Sequence, residues 1–100
     1  MISMVPLRVG DTICVGISLA LPKTNLLVAV APKGYVMCGL LDVVRLDGLH
    51  KDRKIVAARV TGVSSPEDIL TAKVDGVTAA ARELGVVEGM SGEEALSKMV

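Results

Sequence analysis

Residues 13–21 alternate strictly: Ile13, Val15, Ile17, Leu19 and Leu21 take the odd positions, and Cys14, Gly16, Ser18 and Ala20 the even ones. Successive side chains of a strand point to opposite faces, so this segment reads as a β-strand with one large face and one small face. The large face is expected in the core. The small face invites close approach by another surface, one of the few reasons to keep Gly16 inside a strand. That surface is either a second subunit or a loop or helix of the same chain, and the pattern supports both.

The alternation continues downstream. Pro22-Lys23-Thr24-Asn25 is a turn-forming group, and residues 26–31 after it are apolar on both faces, as a central strand is. Pro32-Lys33-Gly34 turns the chain again, so residues 26–31 and 35–40 read as a β-hairpin. In that hairpin Cys38 shares a face with Val36 and Leu40, and Tyr35, Met37 and Gly39 share the other. Asp42 is placed to cap a short helix carrying Val43, Leu46 and Leu49, although Gly48 limits its length. A further strand is expected over residues 55–63.

The character of the chain changes near residue 64, where helix signals take over. Ser65-Pro66-Glu67-Asp68 offers a serine cap, a proline at the first helical position and an acid at the third. Val77, Ala80, Ala81 and Leu84 recur at helical spacing and Gly85 stops them. Ser91-Gly92-Glu93-Glu94 is a capping box, with Met90 and Ala95 placed as a hydrophobic staple. The expected fold class is therefore α+β: an N-terminal antiparallel or mixed β-sheet with hairpins, a short helix after residue 42, a further strand, and three short C-terminal helices. One hundred residues suit a single domain over residues 1–100.

Hydrophobic residues make up 51% of the chain, yet it has no Phe, no Trp and one Tyr, so the core is aliphatic. A small monomer keeps its contiguous exposed apolar patches to a few hundred Å² at about this size. The aliphatic excess therefore points to self-association. The longest nearly apolar run, residues 13–21, falls far short of the roughly 20 residues of a spanning helix, and Asp11 before it and Pro22-Lys23 after it disfavour a secretory signal. A cytoplasmic protein with no membrane association is expected.

Lys plus Arg equals Asp plus Glu at 11 each, so no net field draws nucleic acid. The one basic cluster, His50-Lys51-Asp52-Arg53-Lys54, has no neighbouring aromatic ring to stack bases. Cys14, Cys38 and the sole histidine, His50, are too few for a four-ligand structural zinc site, and no metal site is expected. A disulfide is the minority expectation in a reducing compartment. No Walker or dinucleotide glycine pattern occurs, and each expected helix start already carries acids that oppose an anion, so no cofactor is assigned.

The segments Leu21-Pro22-Lys23-Thr24-Asn25, Gly34-Tyr35-Val36-Met37-Cys38-Gly39, Leu41-Asp42-Val43, Lys51-Asp52-Arg53, Gly89-Met90-Ser91-Gly92 and Glu94-Ala95-Leu96, in this order over nearly the whole length, resemble the YunC-like family of small uncharacterised bacterial and archaeal proteins. The departures lie at residues 44–48 and at Ala31-Pro32-Lys33. The resemblance implies an α+β domain whose N-terminal β region mediates tetramer formation. It implies no activity, and no catalytic residue carries over.

Two functional readings follow from the residues. In the first, a non-catalytic homo-oligomeric module binds a small ligand or protein partner through its loops. Lys23, Thr24 and Asn25 supply a cation, a hydroxyl and an amide at a loop tip, and Tyr35 and Asp42 join them if the hairpin brings both loops to one cleft. A plain turn uses the same residue types. In the second, Cys38 is the nucleophile or sensor of a small cysteine-dependent enzyme or redox protein, acidified by a helix start at Asp42 and assisted by His50, Lys23 or Asp42. Against it, Cys38 shares its face with aliphatic residues and Asp42 adds a negative charge.

Overall fold

A computed structural model describes residues 2–39 and 54–100. Its framework is one sheet of six strands in sequence order: β1 (Ile2–Val9), β2 (Thr12–Leu21), β3 (Thr24–Ala31), β4 (Gly34–Met37), β5 (Ala57–Val60) and β6 (Val74–Val77). Strands β1 to β4 form an antiparallel meander, β5 runs parallel to β4, and β6 pairs antiparallel with β5, so the sheet is mixed. Among the described residues three short helices accompany the sheet in an α+β fold: α1 (Asp68–Thr71), α2 (Ala79–Glu83) and α3 (Gly92–Ser97).

Two-residue turns close the first hairpins. Val9 pairs with Thr12 around Gly10-Asp11, and Gly10 has φ +59°, the left-handed conformation that a hairpin turn asks of its first central residue. Leu21 pairs with Thr24 around Pro22-Lys23, where proline sets the first central position and Lys23 takes φ +67° at the second. The hairpin of β3 and β4 forms as the sequence predicts, with Ala31 opposite Gly34.

The core lies on one face of the sheet. Leu7 and Val9 of β1, Cys14 of β2, Leu27 and Ala29 of β3 and Val36 of β4 are buried there against Ile69, Leu96 and Met99. Each large aliphatic side chain fully buried in this way contributes about 1.5–3 kcal/mol. Helix α3 packs on α1 and on β1, β3 and β4, and the Lys33 N–H donates to the Met99 carbonyl at 2.7 Å, tying the chain end to the turn between β3 and β4.

Strand β2 forms as predicted, but its faces are exchanged relative to expectation. The small face is the inner one: Cys14 and Gly16 are buried. A Cβ on Gly16 would meet Pro66, Leu7 and Val5 at 2.7–3.1 Å, so the close approach is made by the same chain. The large face turns outward, and Ile13 is 54% exposed. Small side chains let the segment entering α1 lie directly on the sheet, which a row of Ile and Leu would hold off.

The later elements differ from expectation in detail. The predicted strand 55–63 contracts to β5. Ser65 does not cap α1 with its side chain; the Asp68 carboxylate reaches back instead and accepts the Ser64 and Ser65 N–H groups at 2.9 and 3.1 Å. The helical spacing from Val77 to Leu84 spans two elements, because Val77 ends β6 and only residues from Ala79 on are helical. Thr78 stands at the junction. Its Oγ1 donates to the Ile55 carbonyl at 2.6 Å and accepts the Ala57 and Ala81 N–H groups at 3.1 and 3.3 Å, so one fully buried hydroxyl both caps α2 and binds the edge of β5.

The predicted capping box at Ser91 is present in full, with Ser91 and Glu94 bonded to each other's backbone amides. The preceding residues run beside β6: Val74 N–H donates to Met90 O and Gly89 N–H to Val74 O, each at 2.8 Å. Gly92 then presses against the Ile69 carbonyl, where a Cβ has no room. The helix expected after Asp42 lies outside the described residues.

Candidate functional site

The antiparallel pairing of β3 with β4 and the parallel pairing of β4 with β5 bring the start of β3 and the carboxyl ends of β4 and β5 to one end of the sheet. A cleft of about 210 Å³ opens there. Among the described residues its walls are Thr24 and Asn25 from the start of β3, Cys38 and Gly39 just beyond β4, and Thr61, Gly62 and Val63 just beyond β5.

Cys38 is held firmly. Its N–H donates to the Leu27 carbonyl at 3.0 Å, continuing the ladder one residue past β4. Its Sγ accepts the Leu27 N–H at 3.5 Å and donates to the Asn25 carbonyl at 4.0 Å, the long reach of a sulfur bond. Both partners are backbone groups, and the residue is buried on the core face with Val36. A thiol fixed in this way packs and caps strand β3. Cys14 is a second buried free thiol, and burial pushes its pKa up.

Thr61 is oriented from behind. Its hydroxyl donates to Asp75 Oδ2 at 3.2 Å, and Arg59 Nε donates to Asp75 Oδ1 at 2.8 Å. Asp75 sits on β6 and Arg59 on β5, so the paired strands deliver both members of the ion pair.

The structure thus gathers Thr24, Asn25 and Cys38 of the residues singled out in the sequence. Lys23 occupies the neighbouring turn and is not among the residues lining the cleft. Tyr35 points to the other face of β4, packed with Met37 and Ile55 around Ala57, and so does not meet Cys38, as the alternation of the strand requires. Asp42 and His50 lie outside the described residues. Thr61, Gly62 and the Asp75–Arg59 pair were not visible as site residues in the sequence. Their only local signal was the break in alternation at Thr61-Gly62, and nothing in that break says that β5 runs beside β4. Among the described residues no group of three or more His, Cys, Asp and Glu side chains is placed to hold a metal ion. No helix among them is long and apolar enough to cross a membrane.

Fold and cleft together define a small α+β protein with a mixed six-stranded sheet and a cleft at one end of it. The chain belongs to the YunC-like family: residues 37–99 match the model of the domain of unknown function DUF1805, and the whole chain is 41% identical over 100 residues to the uncharacterized protein YunC of Bacillus subtilis (strain 168), covering 99% of that protein. The crystal structure of a protein of unknown function from Thermoplasma acidophilum is similar over the full length of this chain and 94% of its own, with a TM-score of 0.88 and 26% sequence identity.

Proposed function

We propose that this chain is a non-catalytic, self-associating module that holds a small ligand or a partner's polar group in the cleft at the end of its sheet. The observation that carries the reading is the outer face of β1 to β3. Ile2 and Met4 on β1 and Ile13 on β2 are 67%, 66% and 54% exposed, and Leu21 and Val30 extend the same face. Register places Ile2 opposite Leu19, Met4 opposite Ile17, and Val15 opposite Val30, so the apolar side chains are contiguous across three strands. A surface of this kind on a small chain marks an interface.

A second copy is the occupant that fits. Edge-to-edge pairing through β1 is disfavoured by Pro6 in its centre, which has no N–H to donate. Face-to-face packing of two such sheets is the route this outer face offers, and it interdigitates aliphatic side chains as a β-sandwich does. Two pairs of that kind form the tetramer that the family resemblance implies. Two unpaired thiols fit a reducing compartment, so the cytoplasm is the proposed location.

Size-exclusion chromatography with light scattering, joined to native mass spectrometry, tests the assignment. An oligomer is expected, and a strict monomer at micromolar concentration would overturn it. The second reading, an enzyme or redox sensor working through Cys38, is favoured by one observation, that Cys38 lines the cleft. Its two backbone hydrogen bonds weigh against it.

A further inference from the structure

We infer that a hollow on the outer face between β1 and β2 is the socket of the self-association interface, and that it takes the Met4 side chain of a second copy. The inference rests on the self-association reading above and adds to it the contact that sets the two sheets in register.

The hollow follows from the heights of neighbouring side chains. Register sets three rows across β1 and β2 on the outer face: Arg8 opposite Ile13, Pro6 opposite Val15, and Met4 opposite Ile17. Rows on one face lie about 6.8 Å apart, two residues along the strand. The middle row is low, because the proline ring and the valine methyls end close to the backbone, whereas Met4 and Ile13 beside it reach further and stand exposed. A hollow of about 250 Å³ lies there. Among the described residues it is walled by Met4, Pro6, Ile13 and Val15, and Val5 and Cys14, whose side chains face the core, complete its floor. The volume is below the roughly 300–1,000 Å³ of small-molecule pockets, which favours a single side chain as the occupant.

Relief of this kind is complementary to itself. Two ridges flank one trough at equal spacing, so a second copy turned about a two-fold axis lays its Met4 ridge in the trough and receives the first copy's Met4 ridge in its own, as an isologous interface requires. Met4 suits the role because it is the more exposed of the two long side chains beside the hollow, and an unbranched thioether adapts to irregular gaps. The area asks for such a fit. Three strands of about eight residues offer a flat face of about 400 Å², whereas a stable interface buries about 800 Å² on each partner. A side chain sunk into each copy raises the buried area beyond that of two flat faces. Pro6 thus acts twice, since its missing N–H spoils edge pairing and its short ring opens the socket.

Sedimentation velocity of the full chain over a dilution series reads the dissociation constant, and far-ultraviolet circular dichroism checks the fold. Met4→Ala, at a side chain the fold itself scarcely covers, should weaken association about ten- to a hundred-fold, since a two-fold interface loses the contact twice. Met4→Leu, which keeps a long aliphatic side chain, should lose distinctly less. Val15→Phe fills the socket from within and should also weaken association, although it adds apolar area to the face. An assembled parent whose dissociation constant is unchanged in Met4→Ala, or a Val15→Phe variant that assembles more tightly than the parent, overturns the socket and leaves the self-association reading standing. A parent that is monomeric at micromolar concentration overturns both.

Discussion

A Cβ added to Gly16 on β2 would stand 2.7 Å from the Cβ of Pro66, at the entry to α1. No real pair of such atoms comes that close, so the Pro66 side chain rests on bare strand backbone at Gly16. This contact decides which side of β2 is inside. With the loop lying on Gly16, the small side chains face the core and the row Ile13, Val15, Ile17, Leu19 faces out.

Gly16→Ala should therefore overpack the core and cost about 1–3 kcal/mol. Denaturant unfolding measures the loss, and Pro66→Gly in the same chain should return part of it by removing the opposing Cβ. An alanine variant as stable as the parent would contradict the contact.

Ile17→Glu places a charge in the middle of the proposed interface, opposite Met4 on β1 and Val28 on β3, while leaving the inner face of β2 untouched. Light scattering should report a shift to smaller species, with a far-ultraviolet circular dichroism spectrum unchanged from the parent. Retention of the parent assembly would move the interface elsewhere.

Thr78→Val keeps the shape of the side chain and removes a hydroxyl that serves Ile55, Ala57 and Ala81. Leaving such buried backbone groups unpaired should cost about 1–3 kcal/mol in unfolding experiments. Thr78→Ser, which retains the hydroxyl, should lose distinctly less.

Both thiols should resist alkylation in the native protein and react once denaturant unfolds it, because each is buried. The raised pKa of Cys14 also has a consequence for stability. Its contribution is intact below the ordinary thiol range and is lost as pH rises through the raised folded value. Cys14→Ala should accordingly flatten the alkaline limb of the stability profile. Cys38 alkylated in the native state faster than a free thiol would favour the enzyme or sensor reading.

Glu88 tests the acid side. The hydrogen bond from Arg82 lowers its pKa, so the pair stabilises above the ordinary glutamate range and the effect disappears as pH falls through the lowered folded value. Glu88→Gln should be slightly less stable than the parent at neutral pH and equal to it in strong acid. The difference should also shrink with added salt, since both side chains are about half exposed.

Local chemistry carried much of the fold into the sequence. Period-two alternation determined β2, turn residues determined the hairpin of β3 and β4 and the opposite facing of Tyr35 and Cys38, and a serine followed by glutamate determined the start of α3. Strand β6 escaped because Val74-Asp75-Gly76-Val77 is short and its last residue also fits a helical spacing, a choice made by pairing with β5 and by the buried hydroxyl of Thr78. The orientation of β2 escaped because alternation defines two faces without saying which one is covered. Only the tertiary structure supplied that, by laying Pro66 on Gly16. The cleft divides in the same way: Thr24, Asn25 and Cys38 could be named from residue type, whereas Thr61 and Asp75 joined them through the pairing of β5 with β4 and β6, a long-range contact that no local pattern encodes.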